Sequence, residues 1–272
     1  MREFNLFFFL FLFISCDRKQ KDITGIYRDS KCLAYIYREN GKEGLLDTNQ
    51  IILIPAQFDY VEDWQVDNLI RIDSGGERIK GGDVVGYIFK KYGLITIDGK
   101  IVSRPRYDQL MVSDNSALVL LDSLYGYIDN NGEWILEPKY KIAYPFYKGT
   151  AVVKQKDKFE LLDKKGNRII KQTFDTIYNF KNDIAIVGDA NKWGFINYRG
   201  QFIVPLSSYR GFGEYNYYYG TFMKEDGKWY LIDTAGNIPI KEGFEEVQTR
   251  AEGDAIFAVG LQNGKQVKVR LN

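Results

Sequence analysis

The chain has 272 residues, of which 45% are hydrophobic and 15% aromatic, so it is long enough to bury a sizeable core. Its 37 basic and 36 acidic side chains nearly cancel, and no basic run is present that could follow a phosphate backbone. This balance argues against a nucleic-acid partner, and the abundance of Tyr, Phe, Val and Ile favours strands over helices.

The first sixteen residues have the pattern of an export signal. Arg2 is followed by an apolar run over residues 4–14, which is too short to span a bilayer, and Ser15 precedes Cys16. This pattern resembles a lipoprotein signal peptide, and the alternative is an ordinary cleaved signal with an incidental cysteine. We predict three segments: a signal peptide over 1–15, a lipidated Cys16 with a polar tether over 16–24, and one domain over 25–272. The expected location is the bacterial cell envelope, with the membrane as partner through the lipid.

A short motif recurs along the rest of the chain. It combines a basic residue, an aromatic residue, Gly and two aliphatic residues, and its aromatic members include Tyr125, Phe159, Trp193 and Trp229. Their spacings of 34, 34 and 36 residues are typical of a structural repeat. Each repeat is predicted to form a strand, a tight turn, a second strand with a Pro-containing bend, a loop and a third strand. The six predicted repeats lie near 41–72, 91–120, 123–154, 156–187, 191–223 and 227–259.

The repeat motif also identifies a family. Trp193 and Gly194 form the complete motif, and pairs of an aromatic residue and Asp follow the second strands. These pairs are Phe58-Asp59, Tyr107-Asp108 and Phe174-Asp175. Over about residues 41 to 259 the chain thus resembles the WG-repeat (KWG) family of bacterial β-repeat proteins. The resemblance implies an envelope or secreted protein, and it provides no catalytic residues to transfer to this chain.

The two ends of the domain predict how the repeats are arranged. Residues 32–37 match the third strand of a repeat and residues 265–271 match the first, so together they make most of one more repeat. If these end strands paired in one split repeat, the array would close into a ring of about seven blades. The predicted fold class is therefore all-β, with tandem three-stranded repeats in a β-propeller-like ring. An open β-solenoid is the alternative.

Catalytic chemistry is hard to place in this sequence. It contains no His, which excludes Ser-His-Asp and Cys-His arrangements and most zinc sites. Aspartates recur where the hairpins turn, and we expect them to stabilise turns rather than to transfer protons. These aspartates are Asp47, Asp129, Asp163 and Asp233. We predict no enzyme, no cofactor and no metal site.

Two segments depart from the repeat, and a binding surface is best sought in such segments. The first is a glycine-rich insertion around residues 73–86, predicted to be a loop. The second is rich in aromatic side chains. Its candidate binding residues are Tyr209, Arg210, Phe212, Tyr215, Tyr217, Tyr218 and Tyr219. Rings beside polar side chains suit stacking on sugars or anchoring a protein partner, while packing within the loop is the alternative role.

These observations favour a lipid-anchored binding or scaffolding protein of the cell envelope, with a protein or a glycan as its partner. A glycan-binding envelope protein is the first alternative. A carbohydrate-active enzyme, which would need an exposed pair of carboxylates in a cleft, is the second.

Overall fold

The computed structural model of the protein describes residues 23–28, 31–63, 66–75, 77–81, 84–88, 91–181, 183–207, 209, 211–216 and 219–271. Within these residues the chain forms 27 β-strands and no helix. The described part of the chain accordingly holds no helix that is long and apolar enough to cross a membrane. The predicted signal peptide and Cys16 lie outside the described residues, and the first strand begins at Ile23, inside the predicted tether.

Small antiparallel sheets follow one another along the chain, and the first three have four strands each. Sheet 1 consists of β1 (Ile23–Arg28), β2 (Lys31–Glu39), β3 (Lys42–Leu46) and β4 (Ile52–Phe58). Sheet 2 consists of β5 (Tyr60–Val61), β6 (Leu69–Ser74), β9 (Lys91–Thr96) and β10 (Ile101–Tyr107), and between β6 and β9 the hairpin of β7 (Glu77–Gly81) and β8 (Val84–Ile88) is inserted. Sheet 3 consists of β11 (Gln109–Ser113), β12 (Ser116–Leu121), β13 (Leu124–Asp129) and β14 (Trp134–Tyr140).

Four further sheets complete the described part of the chain. Sheet 4 consists of β15 (Ile142–Ala143), β16 (Thr150–Gln155) and β17 (Lys158–Asp163). Sheet 5 consists of β18 (Thr176–Ile177), β19 (Ile184–Asp189), β20 (Lys192–Asn197) and β21 (Phe202–Ser207). Sheet 6 consists of β22 (Gly211–Asn216), β23 (Tyr219–Met223) and β24 (Trp229–Asp233). Sheet 7 consists of β25 (Glu246–Glu252), β26 (Ala255–Gln262) and β27 (Lys265–Arg270).

The all-β, propeller-like repeat fold predicted from the sequence is confirmed, because small antiparallel sheets of up to four strands are the blades of a β-propeller. Two details differ from the prediction. The extra strand of sheets 2 to 7 forms in a segment that was expected to be a loop, and β15 and β18 are only two residues long, too short to show an alternating pattern. The insertion is also not a loop, since β7 and β8 pair from Glu77 to Ile88.

The core is divided into six buried clusters, and each cluster joins two consecutive sheets. Between sheets 4 and 5, for example, Val152 and Leu161 pack with Phe174 and Ile177. Each inner sheet is therefore covered on both faces by its neighbours, which explains why the strand sequences are apolar on both faces.

The predicted split repeat is wrong. Residues 32–37 lie in β2 of sheet 1 and residues 265–270 lie in β27 of sheet 7, so the two ends belong to different sheets. The first fragment has a closer partner, because β1 pairs with β2 from Ile23 opposite Tyr37 to Arg28 opposite Lys31, and pairing across so short a connection costs little chain entropy. None of the six clusters described within residues 23–271 joins sheet 7 to sheet 1, and closure of the ring stays a prediction.

The glycine of the repeat motif has a steric role. A Cβ atom on Gly44, Gly93, Gly126 or Gly194 would lie only 2.5, 2.5, 2.7 or 2.6 Å from backbone atoms of the fourth strand of the same sheet. The motif carries Glu160 in sheet 4, and the chain passing β17 there makes only isolated bridges, not a fourth strand. Close approach of the fourth strand therefore requires glycine at this position.

Candidate binding site

An open cleft of about 560 Å³ lies between sheets 5 and 6. On the side of sheet 5 it is lined by Ile184, Ile186, Trp193 and Phe195, and on the side of sheet 6 by Tyr209 and the start of β22. The segment between β18 and β19 contributes Tyr178, Asn179 and Lys181. We call this the aromatic cleft, since five of its lining side chains are the rings of Tyr178, Trp193, Phe195, Tyr209 and Phe212.

The preceding junction shows why this one is open. Phe159 of sheet 4 occupies the register position of Trp193, and it bridges to Phe174, whose side chain is fully buried between sheets 4 and 5. The residue opposite Trp193 is Ser207, which is exposed. The ring that stands at this position between sheets 4 and 5 is therefore missing between sheets 5 and 6.

Trp193 is held flat against its own sheet. A Cβ atom at position 188, directly opposite on β19, would lie 2.8 Å from the Cζ3 atom of the indole, so Gly188 makes room for the ring. From the other side, the ring of Phe212 lies 5.5 Å from the ring of Trp193 and 5.5 Å from that of Phe195. Trp193 is thus a rigid wall of the cleft.

The predicted aromatic segment is split by the structure. Tyr209 and Phe212 line the aromatic cleft, and the ring of Tyr209 packs edge-on against that of Phe222 at 5.1 Å. Burial raises the pKa of Tyr209, so this phenol stays neutral. Tyr219 lies elsewhere: it packs on the cluster between sheets 6 and 7, and its hydroxyl donates to the Leu271 carbonyl at 3.1 Å.

The other four candidate residues from the sequence are not among the described lining residues of the aromatic cleft. Arg210, Tyr217 and Tyr218 lie outside the described residues, and Tyr215 is part of strand β22. Sequence reasoning missed Tyr178, Ile186 and Trp193 as cleft residues. Ser207 could have indicated the cleft in the sequence, because the equivalent position is aromatic in five other sheets: Phe58, Tyr107, Tyr140, Phe174 and Phe244.

The aspartates at the hairpin turns have the structural role predicted for them. The side chain of Asp129 accepts the backbone N–H groups of Asn131 and Glu133 at 2.8 and 2.9 Å. Three others make the same pair of bonds: Asp47, Asp163 and Asp233. Across the part of the chain that the structure describes, no group of three or more His, Cys, Asp or Glu side chains is placed to hold a metal ion.

Ion pairs between repeats explain a second part of the motif. The Lys that opens the motif pairs with the Asp that follows the fourth-strand segment, seventeen residues later. Three such pairs have Nζ–Oδ1 distances of 2.5, 2.7 and 2.6 Å: Lys42–Asp59, Lys91–Asp108 and Lys158–Asp175. Lys158 also contacts Asp189 of the next sheet at 2.7 Å.

The described residues thus form an all-β repeat protein with an open cleft between sheets 5 and 6. A sequence model of the family described as WG containing repeat matches residues 44–76, 125–159 and 161–193. These three segments are WG-containing repeats, and the resemblance seen in the sequence is confirmed. A comparison with curated protein sequences found no significant match.

Solved structures show only remote similarity. BamB from Moraxella catarrhalis is 12% identical with a TM-score of 0.36, over 92% of this chain and 83% of that chain. Hsv2p of Kluyveromyces lactis is 10% identical with a TM-score of 0.39, over 92% of this chain and 97% of that chain. A eukaryotic initiation factor is 12% identical with a TM-score of 0.46, over 87% and 73% of the two chains. These similarities assign no function to this chain.

Proposed function

We propose that this chain is a binding protein and that the aromatic cleft is its ligand site. The observation that carries this proposal is the cleft itself, in which Trp193 and Ile186 line about 560 Å³ of open space beside Ser207, which stands where sheet 4 is followed by the fully buried Phe174. Concave sites with apolar walls and a few polar groups are the usual form of ligand pockets. The described lining residues include no carboxylate, so they offer a surface for recognition without an acid–base pair.

The first test removes or fills the cleft. Trp193→Ala removes the largest wall, and Ile186→Trp places a ring in the open space. We expect each variant to lower ligand affinity about tenfold, which corresponds to about 1.4 kcal/mol, because Trp193→Ala removes a stacking surface and Ile186→Trp occupies the space of the ligand. The measurement is isothermal titration calorimetry with soluble oligosaccharides and short peptides as probes.

Trp229→Ala is the matched control. Trp229 occupies the same register position in sheet 6 but packs on the cluster between sheets 6 and 7. It should keep the affinity of the unmodified protein. Binding that survives Trp193→Ala and Ile186→Trp unchanged would place the ligand site elsewhere, and a panel without any binder would overturn the proposal.

The proposal also includes the location. Cys16 would carry a lipid that anchors the domain to the membrane of the cell envelope, with the polar residues after it as a tether. We expect Cys16→Ser to move the protein into the soluble fraction or to leave it as an unprocessed precursor. Detergent phase partitioning and the mass of the N-terminal peptide measure this. A Cys16→Ser protein that still partitions into detergent would disprove the anchor, and Cys32→Ser serves as the control.

A further inference from the structure

We propose that the aromatic cleft binds an acidic oligosaccharide, with one sugar ring stacked on the aromatic wall and the carboxylates of neighbouring sugars held by lysines at the two ends of the cleft. This inference rests on the proposed function, since it names the ligand class of the same site. It is carried by a comparison of the charges at two equivalent junctions.

The first step concerns the lysine beside the aromatic wall. Lys158 of sheet 4 is held by two carboxylates, those of Asp175 and Asp189. Lys192 occupies the same position in sheet 5, directly before Trp193. The three residues that follow Ser207, residues 208–210, contain no carboxylate, so the counterpart of Asp175 is missing.

The second carboxylate is also missing, and a cation replaces it. In the backbone register of sheet 5, Asp189 stands opposite Lys192. The equivalent position in sheet 6, opposite Lys228, is occupied by Lys224. Within the residues that the structure describes, Lys192 forms no ion pair and no side-chain hydrogen bond, whereas Lys42, Lys91 and Lys158 all do. The junction that lacks its aromatic ring therefore also lacks the anions that neutralise its lysine.

A second lysine lies at the opposite end of the cleft. Lys181 lines the cleft beside Ile184, at the start of β19, while Lys192 adjoins Trp193 near the end of β19. Positive charge thus flanks the apolar wall at both ends, which suits an anionic ligand.

The remaining groups suit a sugar better than another anion. Tyr178 is 55% exposed and Trp193 is half-buried, so both rings can stack on the apolar face of a pyranose. Asn179 accepts the backbone N–H of Phe180 at 2.9 Å, and this leaves its amide nitrogen to donate to a hydroxyl group. An acidic saccharide combines the flat apolar face, the hydroxyls and the negative charge that these residues match.

The experiment compares probes that differ only in charge. Tetragalacturonate and its neutral methyl ester are titrated into the protein, together with the mannuronate and hyaluronan tetrasaccharides and with polyglutamate as an acidic peptide. We expect at least one acidic saccharide to bind, at least about fivefold more tightly than its uncharged counterpart. The affinity should fall as salt rises from about 20 to about 300 mM, because partly exposed charge pairs are screened.

Three variants separate the parts of the proposal. Lys192→Gln and Lys181→Gln should each weaken the acidic probe about two- to fivefold and leave the neutral probe unchanged. Lys228→Gln is the control, since Lys228 is the equivalent lysine of sheet 6, and it should change neither affinity. Trp193→Ala should weaken both probes.

The outcomes distinguish the two levels of the argument. If neutral and acidic saccharides bind equally and the lysine variants change nothing while Trp193→Ala still weakens both, the acidic ligand is wrong and the binding cleft stands. If polyglutamate binds as tightly as the saccharides, the ligand class is an acidic peptide and this inference is overturned. If Trp193→Ala leaves every affinity unchanged, the cleft itself is not the site.

Discussion

Replacing Phe174 with Ala is expected to lower the free energy of unfolding by about 3–5 kcal/mol, the usual cost of emptying a fully buried phenylalanine site. Phe174 is 0% exposed, and its backbone exchanges N–H···O bonds with Phe159 at 2.8 and 3.0 Å. Its ring belongs to the cluster that joins sheets 4 and 5 and lies 6.2 Å from the ring of Phe202. The loss should therefore open the junction between these two sheets.

Urea unfolding followed by fluorescence and circular dichroism measures this effect. Phe202→Ala is the matched control, because Phe202 is the neighbouring ring of the same kind but is 36% exposed, and we expect it to cost less than about 1.5 kcal/mol. A Phe174→Ala variant no less stable than Phe202→Ala would show that the junction does not depend on this ring.

The same position links stability to the site. Ser207 stands opposite Trp193 as Phe174 stands opposite Phe159, so the array gives up one buried ring between sheets 5 and 6. If a buried ring at position 207 were worth as much as Phe174, its absence would lower the free energy of unfolding by about 3–5 kcal/mol. A repeat protein that keeps such a gap resembles enzymes and receptors in which the binding site is a local departure from the most stable arrangement.

Much of this fold could be predicted from the sequence, because each repeat carries its own markers. The spacing of Tyr125, Phe159, Trp193 and Trp229 predicted the array, and the absence of capped helical patterns predicted an all-β chain. The way that the ends pair could not be predicted from the repeat pattern. Residues 32–37 match a repeat fragment equally well whether their partner is β1 or β27. They pair with β1, because β1 is close along the chain and closing the short connection costs little entropy.

The cleft was only partly predictable for a different reason. Tyr209 and Phe212 drew attention because aromatic residues are dense in their segment, and both line the cleft. Tyr178 and Trp193 come from sheet 5, and in the sequence they follow the repeat pattern. Their exposure depends on what the next sheet fails to place over them. The only sequence signal for this missing contact is Ser207, a single polar residue at a register position that is aromatic in the other repeats.

The second large effect concerns a buried acid in sheet 2. Asp73 lies in β6, paired between Tyr60 and Tyr92, and its side chain is only 1% exposed. Its Oδ1 atom has no hydrogen-bond partner in the described structure. Leu120 occupies the same register position in sheet 3, so a carboxyl group stands where a neighbouring repeat has an apolar side chain.

Burial raises the pKa of Asp73 from 3.8 to about 7, and the nearby carboxylates of Asp59 and Glu43 add to the rise, while the Arg71 guanidinium opposes it. Between these two pKa values the folded protein binds a proton that the unfolded chain has lost. The stabilising protonated form is fully present below pH 3.8, and its contribution is lost as the pH rises to about 7. The loss amounts to as much as about 4 kcal/mol, at about 1.36 kcal/mol per pKa unit.

Asp73→Asn should remove this pH dependence. The variant keeps the shape of the side chain and carries no charge, so its free energy of unfolding should match that of the unmodified protein near pH 4 and exceed it by up to about 4 kcal/mol at pH 8. The chain has no His, so few other groups titrate between pH 5.5 and pH 8 and the slope in that range reports mainly on this carboxyl. Asp108→Asn is the control, because Asp108 is exposed and paired with Lys91, and it should leave the slope unchanged.

Parallel stability curves of the unmodified protein and Asp73→Asn from pH 5 to pH 8 would show that Asp73 is ionised in the folded protein at the ordinary pKa of an aspartate. Sheet 2 would then contain a buried, charged carboxylate next to Arg71.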